Sequence, residues 1–347
     1  YNRTKVNISI YENSENGFLF LKRFSLFFCV ELFISKGGIK MIYTLTTNPA
    51  IDMNISTMGI KRKEVNRTFD TVYSANGKGL NVSFVLKYFG LDSTVMGFFG
   101  GFSGDYIIKE TKKKGINIIP TMIEDEITRI NIFLNDGEGE FKFVNSGSFV
   151  DSDKQEEMLN VLRNLNDLEY LTINGSLPPG IDPDYYDKIL NICKEKETKV
   201  IIDISSPKLK ELLKYKPFLI KPNDEEIKDI FGIEITNKED VIKVLEFLYK
   251  SGAQNIFLTM GEKGSYFYNG ENIYFATAQK VKLMSSACAG DSALAGFLSI
   301  WLENPDNIEK ALKRASATGA NVAESNAIGN LKKVEEYTKN IKVRRVG

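Results

Sequence analysis

The chain predicts an α/β layered domain with a largely parallel sheet. Two observations carry this: from Met41 onward short β-type runs alternate with amphipathic stretches, and several runs end at once in a polar or glycine-bearing segment. A third, alternating side chains around a glycine turn, adds a smaller sheet to the main one.

The elements follow in order. Ile42-Tyr43-Thr44-Leu45-Thr46 is a strand running into Thr47-Asn48-Pro49, and Ile51 to Ile55 and Thr68 to Tyr73 are further β-type runs. Asn81 to Phe89 reads as a helix, Asp92 to Phe98 as a strand and Asp105 to Lys114 as the next helix. Thr128 to Leu134 and Glu140 to Val144 flank Asp136-Gly137-Glu138-Gly139, which reads as a hairpin. Tyr170 to Ile173 precedes a helix at Tyr185 to Lys194, and Lys199 to Asp203, Pro217 to Ile220 and Asn255 to Thr259 complete the strands. The last clear helix is Ser292 to Leu302. Ligands in open α/β sheets bind beyond the carboxyl ends of the strands. The segments there are Thr47-Asn48-Pro49, Asn174-Gly175-Ser176, Asp203, Lys221-Pro222-Asn223 and Thr259-Met260-Gly261, so one site assembled from distant segments is expected.

The hairpin near 128–146, with segments near 48–75, is expected to form a small antiparallel sheet that projects as a lid and excludes water during group transfer. A plain edge hairpin is the alternative. An exposed lid sheet would also offer a surface for a homodimer.

Residues 1–40 stand apart. Gly17 to Ser35 is rich in Phe and Leu, but Lys22, Arg23 and Glu31 leave its apolar runs too short for a bilayer, and no small-residue cleavage pattern follows. They are expected to lie outside the fold, as a disordered extension or as sequence upstream of a start at Met41, with 41–347 forming one domain.

With 43% hydrophobic and 26% charged residues among 347, the composition is that of a globular chain. Lys and Arg number 45 against 45 Asp and Glu, so neither a nucleic-acid footprint nor a polybasic membrane face is indicated. Cys29, Cys193 and Cys288 are far apart, without a C-x-x-C pair, which suggests neither a disulfide framework nor a zinc site and fits a cytoplasmic setting. The chain has no histidine, so a general base working near neutral pH is a carboxylate, a lysine or a thiol.

The leading candidate is Asp291, in Ser286-Ala287-Cys288-Ala289-Gly290-Asp291-Ser292. Small residues at a helix start let N–H groups and the helix dipole face a phosphate, with Asp291 beside it; the plainer reading makes Asp291 an N-cap. Asn76-Gly77-Lys78-Gly79-Leu80-Asn81 places a lysine between glycines, suited to an anion, and equally to a turn with a solvated lysine. It is neither a Walker A loop nor a dinucleotide fingerprint. Asp52 follows the first strand, where it can accept sugar hydroxyls or simply cap a surface turn. Asn223 and Glu226, three apart at a helix start, suit Mg²⁺ held through water, and equally a capping box. Thr259-Met260-Gly261-Glu262-Lys263-Gly264 suits a nucleotide or a plain hairpin. Arg129 can fork onto a phosphate or lie solvated on its strand.

Together these segments, with Gly97 to Gly104 and Asn174 to Gly180, resemble the ribokinase-like sugar kinases of the phosphofructokinase-B type, nearest to their 1-phosphofructokinase branch. The match runs from Met41 to about Gly329 in family order. The resemblance implies a three-layer α/β/α fold with a mostly parallel sheet and a β lid. It also implies that ATP, with Mg²⁺, phosphorylates the 6-hydroxyl of fructose 1-phosphate; tagatose 6-phosphate and fructose 6-phosphate are the rival substrates, and a non-catalytic sugar-phosphate-binding regulator the rival class. By the same resemblance Asp291 is the base, and N–H groups of Cys288, Ala289 and Gly290 hold the transferring phosphoryl. Asp52, Gly77, Lys78, Gly79, Asn81, Arg129 and Ser176 hold the phosphosugar. Asn223 and Glu226 organise Mg·ATP, while Thr259, Met260, Gly261, Glu262, Lys263, Gly264, Gly290 and Asn326 meet the nucleotide. The family commonly has glycine where this chain has Cys288, so a positive φ there would strain the backbone, and a thiol at that spot suggests sensitivity to oxidants.

Overall fold

Among the described residues fourteen strands form two sheets, one of ten strands and one of four. A computed structural model describes residues 41–325 and 327–347. The expected extension at 1–40 and Asn326 lie outside the described residues. The main sheet has ten strands. In chain order its members are β1 (Ile42–Thr46), β4 (Ser93–Gly100), β5 (Asn117–Ile123), β8 (Tyr170–Asn174), β9 (Lys199–Asp203), β10 (Leu219–Ile220), β11 (Ile256–Thr259), β12 (Ser265–Tyr268), β13 (Ile273–Ala276) and β14 (Val343–Arg345). Their spatial order is 14-13-12-11-10-9-8-1-4-5. Pairings from β11 to β5 are parallel and those from β11 to β14 antiparallel.

The central strands are mostly apolar because both faces are covered. In β1, Tyr43 and Leu45 pack into one core while Ile42 enters the other. The first core is closed by α3 (Ser152–Asn164), α4 (Tyr185–Glu195), α5 (Asp224–Phe231) and α6 (Lys238–Lys250). On the opposite face lie α1 (Lys78–Tyr88), α7 (Ala289–Trp301) and α8 (Ile308–Ala323), and Leu80 of α1 and Ile107 of α2 (Gly101–Lys113) share a third cluster with β4. The result is the three-layer α/β/α arrangement.

A four-stranded sheet stands beside this body, in the order β3-β2-β6-β7, from β2 (Ala50–Thr57), β3 (Thr68–Asn76), β6 (Ile130–Asn135) and β7 (Glu140–Phe143). It consists of the expected hairpin, β6 with β7, and of the antiparallel pair β2 with β3, joined edge to edge by a parallel pairing of β2 with β6, so the sheet expected to be antiparallel is mixed. All of β3 from Thr68 to Tyr73 and all of β7 are exposed. Among the described residues no helix is long and apolar enough to cross a membrane.

Two helices start earlier than their apolar pattern announces: α1 at Lys78 rather than Asn81, and α7 at Ala289 rather than Ser292. The pattern marks where a face becomes buried, while the backbone already turns at the preceding small residues. The strand expected from Pro217 shrinks to Leu219–Ile220, consistent with a proline having no N–H for the ladder.

Candidate active site

The chemistry-bearing strand ends come together by register. Thr46 pairs with Asn174 and Asn174 with Asp203, Lys221 donates its backbone N–H to Ile202, and Asn223 bridges to Thr259. Five segments far apart in sequence thereby meet at the carboxyl edge of one sheet.

Above that edge sits the turn into α7. Cys288, not Asp291, is its N-cap residue, in the left-handed region at φ 63°. Asp291 is therefore in the first helical turn, and its reading as an N-cap is corrected. No side chain caps the helix, so first-turn N–H groups remain for an anion. Ala289 N–H already makes a long bond to the Ser286 carbonyl, 3.4 Å, which leaves Gly290 as the freer donor.

Asp291 is buried, 6% exposed, and Asn81 Nδ2 donates to its Oδ2 at 2.9 Å. Burial pushes its carboxyl up to about 6 against the pull of Lys78; the nearby Asp203 charge pushes the same way, and the Asn81 hydrogen bond and Lys221 pull back. Such a group is ionised at neutral pH and still basic enough to take a proton.

Sequence reasoning gave no role to the ion cluster beneath the turn. Asp203, fully buried at the end of β9, receives Lys221 Nζ at 3.1 Å and Lys78 Nζ at 3.4 Å on the same Oδ1. Burial works to raise the Asp203 carboxyl, but Lys221 and then Lys78 outweigh it and hold it below the ordinary carboxylate range. Asp203 in turn raises Lys78, against burial, and Asp291 and Glu226 add to the effect. Lys221 reaches the catalytic turn, since a Cβ on Gly290 would lie 3.5 Å from its Nζ. The available signal was a charged residue at the carboxyl end of an apolar run, Asp203 closing β9 and Lys221 directly after β10.

At the lid end Asp52 is buried on β2. Asn131 Nδ2 donates to its Oδ1 at 2.8 Å and Asn76 Nδ2 to its Oδ2. Burial raises its carboxyl, with these two bonds and Arg129 opposing. Arg129 is not solvated: its terminal nitrogens donate to the Asn145 and Asn48 carbonyls at 2.8 and 2.9 Å. Each keeps one N–H for a phosphate. Ser176 accepts Thr47 Oγ1 on its carbonyl at 2.8 Å, and Asn48 Nδ2 lies 3.5 Å from its Oγ. Gly79 serves packing first, because a Cβ there would lie 2.4 Å from Thr46 Oγ1, which holds the Leu80 N–H at 2.9 Å. Gly77 is confined similarly by Thr46.

Asn223 and Glu226 form the capping box: Glu226 N–H donates to Asn223 Oδ1 at 2.7 Å and Asn223 N–H to Glu226 Oε2 at 3.0 Å. Ser205 Oγ donates to the other oxygen of Glu226. In the run from Thr259, the residues Gly261, Glu262 and Lys263 are exposed, with Lys263 paired to Asp224 at 3.3 Å. Met260 and Gly264 instead turn inward; Gly264, at φ 101°, lies where a Cβ would meet the Ala276 carbonyl.

The thiol at Cys288 is held protonated: burial, and then the Asp291 charge, push it up to about 12. This argues against the expected sensitivity to oxidants, since the thiolate is the reactive form. Native protein at pH 8 is expected to leave Cys288 unmodified by iodoacetamide over a period in which the unfolded chain reacts completely, as read by peptide mass; equal rates in the two states would contradict this.

Comparison with known proteins agrees with this geometry. Residues 43–333 match the model of the pfkB family carbohydrate kinases, and the chain belongs to that family. A D-tagatose-1-phosphate kinase of Klebsiella oxytoca is 45% identical over 303 residues, covering 87% of this chain and 99% of the relative. A 1-phosphofructokinase of Borreliella burgdorferi is 37% identical over 285 residues, covering 82% and 92%. The tetrameric inhibited form of phosphofructokinase-2 from Escherichia coli superposes with a TM-score of 0.78 at 23% identity, over 87% of this chain and 100% of that one, a likeness of fold.

Proposed function

We propose that this pfkB-family carbohydrate kinase transfers the γ-phosphate of ATP to the 6-hydroxyl of a ketohexose 1-phosphate, with Asp291 as general base. The observation that carries the reading is the buried Asp291 carboxylate in the first turn of an uncapped helix, oriented by Asn81 and raised to about 6. Asp291 takes the hydroxyl proton as the sugar oxygen bonds to the γ-phosphorus; the bond to the β,γ-bridging oxygen breaks and ADP leaves. The backbone of Cys288, Ala289 and Gly290 offers N–H groups to the transferring phosphoryl, and Lys78 and Lys221 offset its charge. This is positioning and electrostatics, which is what phosphoryl transfer asks of a protein.

Asp52 suits sugar hydroxyls as an acceptor, Asn81 can meet them only through its amide oxygen because both of its N–H groups are engaged, and Lys78, Arg129 and Ser176 suit the sugar phosphate, with Gly77 and Gly79 shaping that wall. Asn223, Thr259 and the exposed Gly261 to Lys263 suit the nucleotide. Mg²⁺ would neutralise phosphate charge. Among the described residues no cluster of three His, Cys, Asp or Glu could hold a metal, and both Glu226 oxygens are hydrogen-bonded. These residues fit a Mg²⁺ held through water and substrate phosphates, with Glu226 and Asn223 positioning the water. The exposed Phe69, Val72 and Tyr73 of β3 suit pairing of two lids in a homodimer. A reducing cytoplasm suits the free Cys193 and Cys288.

Fructose 1-phosphate and tagatose 1-phosphate differ only in configuration at C4. The fructose ester was the expectation from sequence, but the 45% identity to a tagatose-1-phosphate kinase, against 37% to a 1-phosphofructokinase, favours the tagatose ester. Initial rates with the 1- and 6-phosphates of both ketoses are the test. Higher kcat/KM for the two 1-phosphates, with tagatose 1-phosphate ahead, is the expected order; preference for either 6-phosphate would overturn the reading.

A further inference from the structure

Between the lid carboxylate and the base lies a side chain so far given no role. Asn76 ends lid strand β3, whereas Asn81 and Asp291 belong to helices of the main body. Asn76 Nδ2 donates one hydrogen to Asp52 Oδ2 and the other toward Cys288 Sγ, 3.4 Å away. Its Oδ1 accepts the Gly77 N–H at 2.5 Å and Asn81 Nδ2 at 2.9 Å. Asn81 spends its second hydrogen on Asp291 Oδ2, at 2.9 Å. Asp52 is held on its other oxygen by Asn131, from lid strand β6.

This arrangement has only one workable orientation. Flipping the Asn76 amide would set its carbonyl against the Asp52 carboxylate and its NH₂ against two donors, the Gly77 N–H and the Asn81 NH₂. The carboxylate of Asp52 thus fixes Asn76, Asn76 fixes Asn81, and Asn81 fixes which oxygen of Asp291 is occupied. Buried networks with every member satisfied are stiff, and a change at one end is felt at the other.

We propose that Asn76 is a positioning residue that ties the lid carboxylate Asp52 to the base Asp291 through Asn81. It holds Asp291 Oδ2 as the occupied oxygen and leaves Oδ1 to receive the hydroxyl proton. The proposal rests on the kinase reading above for Asp291's role, although the relay itself can be tested without turnover. The other charged or titratable groups facing Asp291 are Lys78 on α1, Asp203 at the end of β9, Lys221 after β10 and the Cys288 thiol. Substituting Asn76 leaves the contacts of Lys78, Asp203 and Lys221 in place and removes one donor from the Cys288 thiol, a loss that favours its protonated, neutral form.

The test is Asn76→Ala, with folding checked by thermal melting. With Asn81 released, its bond to Asp291 slackens, and that bond favours the ionised carboxyl. The pH midpoint of the Asp291 carboxyl is therefore expected to move up by about half a unit or more. It is read as the protonated-carboxyl band in infrared difference spectra, assigned by its loss in Asp291→Asn. The same variant is expected to lose about tenfold or more in kcat, with the acid limb of the kcat profile displaced in the same direction and ATP affinity unchanged. An unchanged midpoint in folded Asn76→Ala protein overturns the relay, as does a purely KM effect with an undisplaced acid limb. If Asn76→Ala does not fold, Asn76→Ser is measured in the same way and judged by the same outcomes. Should the wild-type protein phosphorylate no ketohexose phosphate, the kinase reading fails, and the infrared midpoint still decides the relay.

Discussion

Asp291→Asn is expected to lower kcat by at least about a hundredfold, the scale of losing a general base, while the protein stays folded and still binds ATP and sugar phosphate. Asparagine keeps the shape and still accepts from Asn81, so the position is preserved and the proton acceptor is lost. Wild-type kcat/KM is expected to fall below pH 6, tenfold per unit, because the free enzyme must have Asp291 ionised and its carboxyl titrates at about 6. The stability effect has the opposite sign to the activity effect. A carboxyl raised in the folded state binds its proton more tightly there than in the unfolded chain, so its contribution is fully present below the ordinary value of 3.8 and is lost as pH rises through about 6. At pH 7 the wild type therefore carries a buried charge at a cost that asparagine avoids, and Asp291→Asn is expected to melt no lower than wild type at that pH. A variant that keeps more than about a tenth of wild-type kcat, or a clear drop in melting temperature at pH 7, would count against Asp291 as the poised base.

How much of this was legible in the sequence depends on the range over which each signal acts. The alternation that marks β1, β8 and β9 is local, because these strands are covered on both faces and read as apolar runs, so they were found to within a residue. The hairpin of β6 and β7 was legible through its period-two pattern and the glycine turn at 137–139, and β2 and β3 as β-type runs. The parallel pairing of β2 with β6 was not, since it joins residues about 80 apart and leaves no local trace. The site divides similarly. Asp291, Asn223 and Glu226 sit in short motifs whose chemistry is visible in the motif. Asp203 and Lys221 gain meaning only when register on neighbouring strands puts one carboxylate between two lysines. Asn76 and Asn131 look like turn and strand residues until the lid folds over and aims both amides at Asp52. Cys288 shows the mixture: a positive φ there was an open question raised by the family's usual glycine, and the structure has it at 63°, while the upward push on its thiol comes from surroundings that sequence does not report.

Asp203→Asn is expected to cost about 3 to 5 kcal/mol of stability at pH 7, the usual penalty for breaking a buried ion pair by removing one partner. The two ammonium groups are unequally exposed, Lys221 at 4% and Lys78 at 32%, so most of the penalty falls on Lys221, which has no route to solvent. The sign with pH distinguishes this cause from poor packing. Because the Asp203 carboxyl is held below its ordinary value in the folded state, its contribution is present above 3.8 and is lost as pH falls through the lower folded value. The gap between variant and wild type in urea unfolding should thus close only in acid below the ordinary carboxylate range, whereas a packing defect would persist there. Function should move as well, in a direction opposite to that of Asn76→Ala. Asp203 helps to raise Asp291, and without it Lys78 and Lys221 act on Asp291 alone, so the acid limb of kcat/KM should shift downward and the weaker base should turn over more slowly. A variant within about 1 kcal/mol of wild type would mean that the lysines find water or another partner, and the cluster would then be an electrostatic bystander to the turn above it.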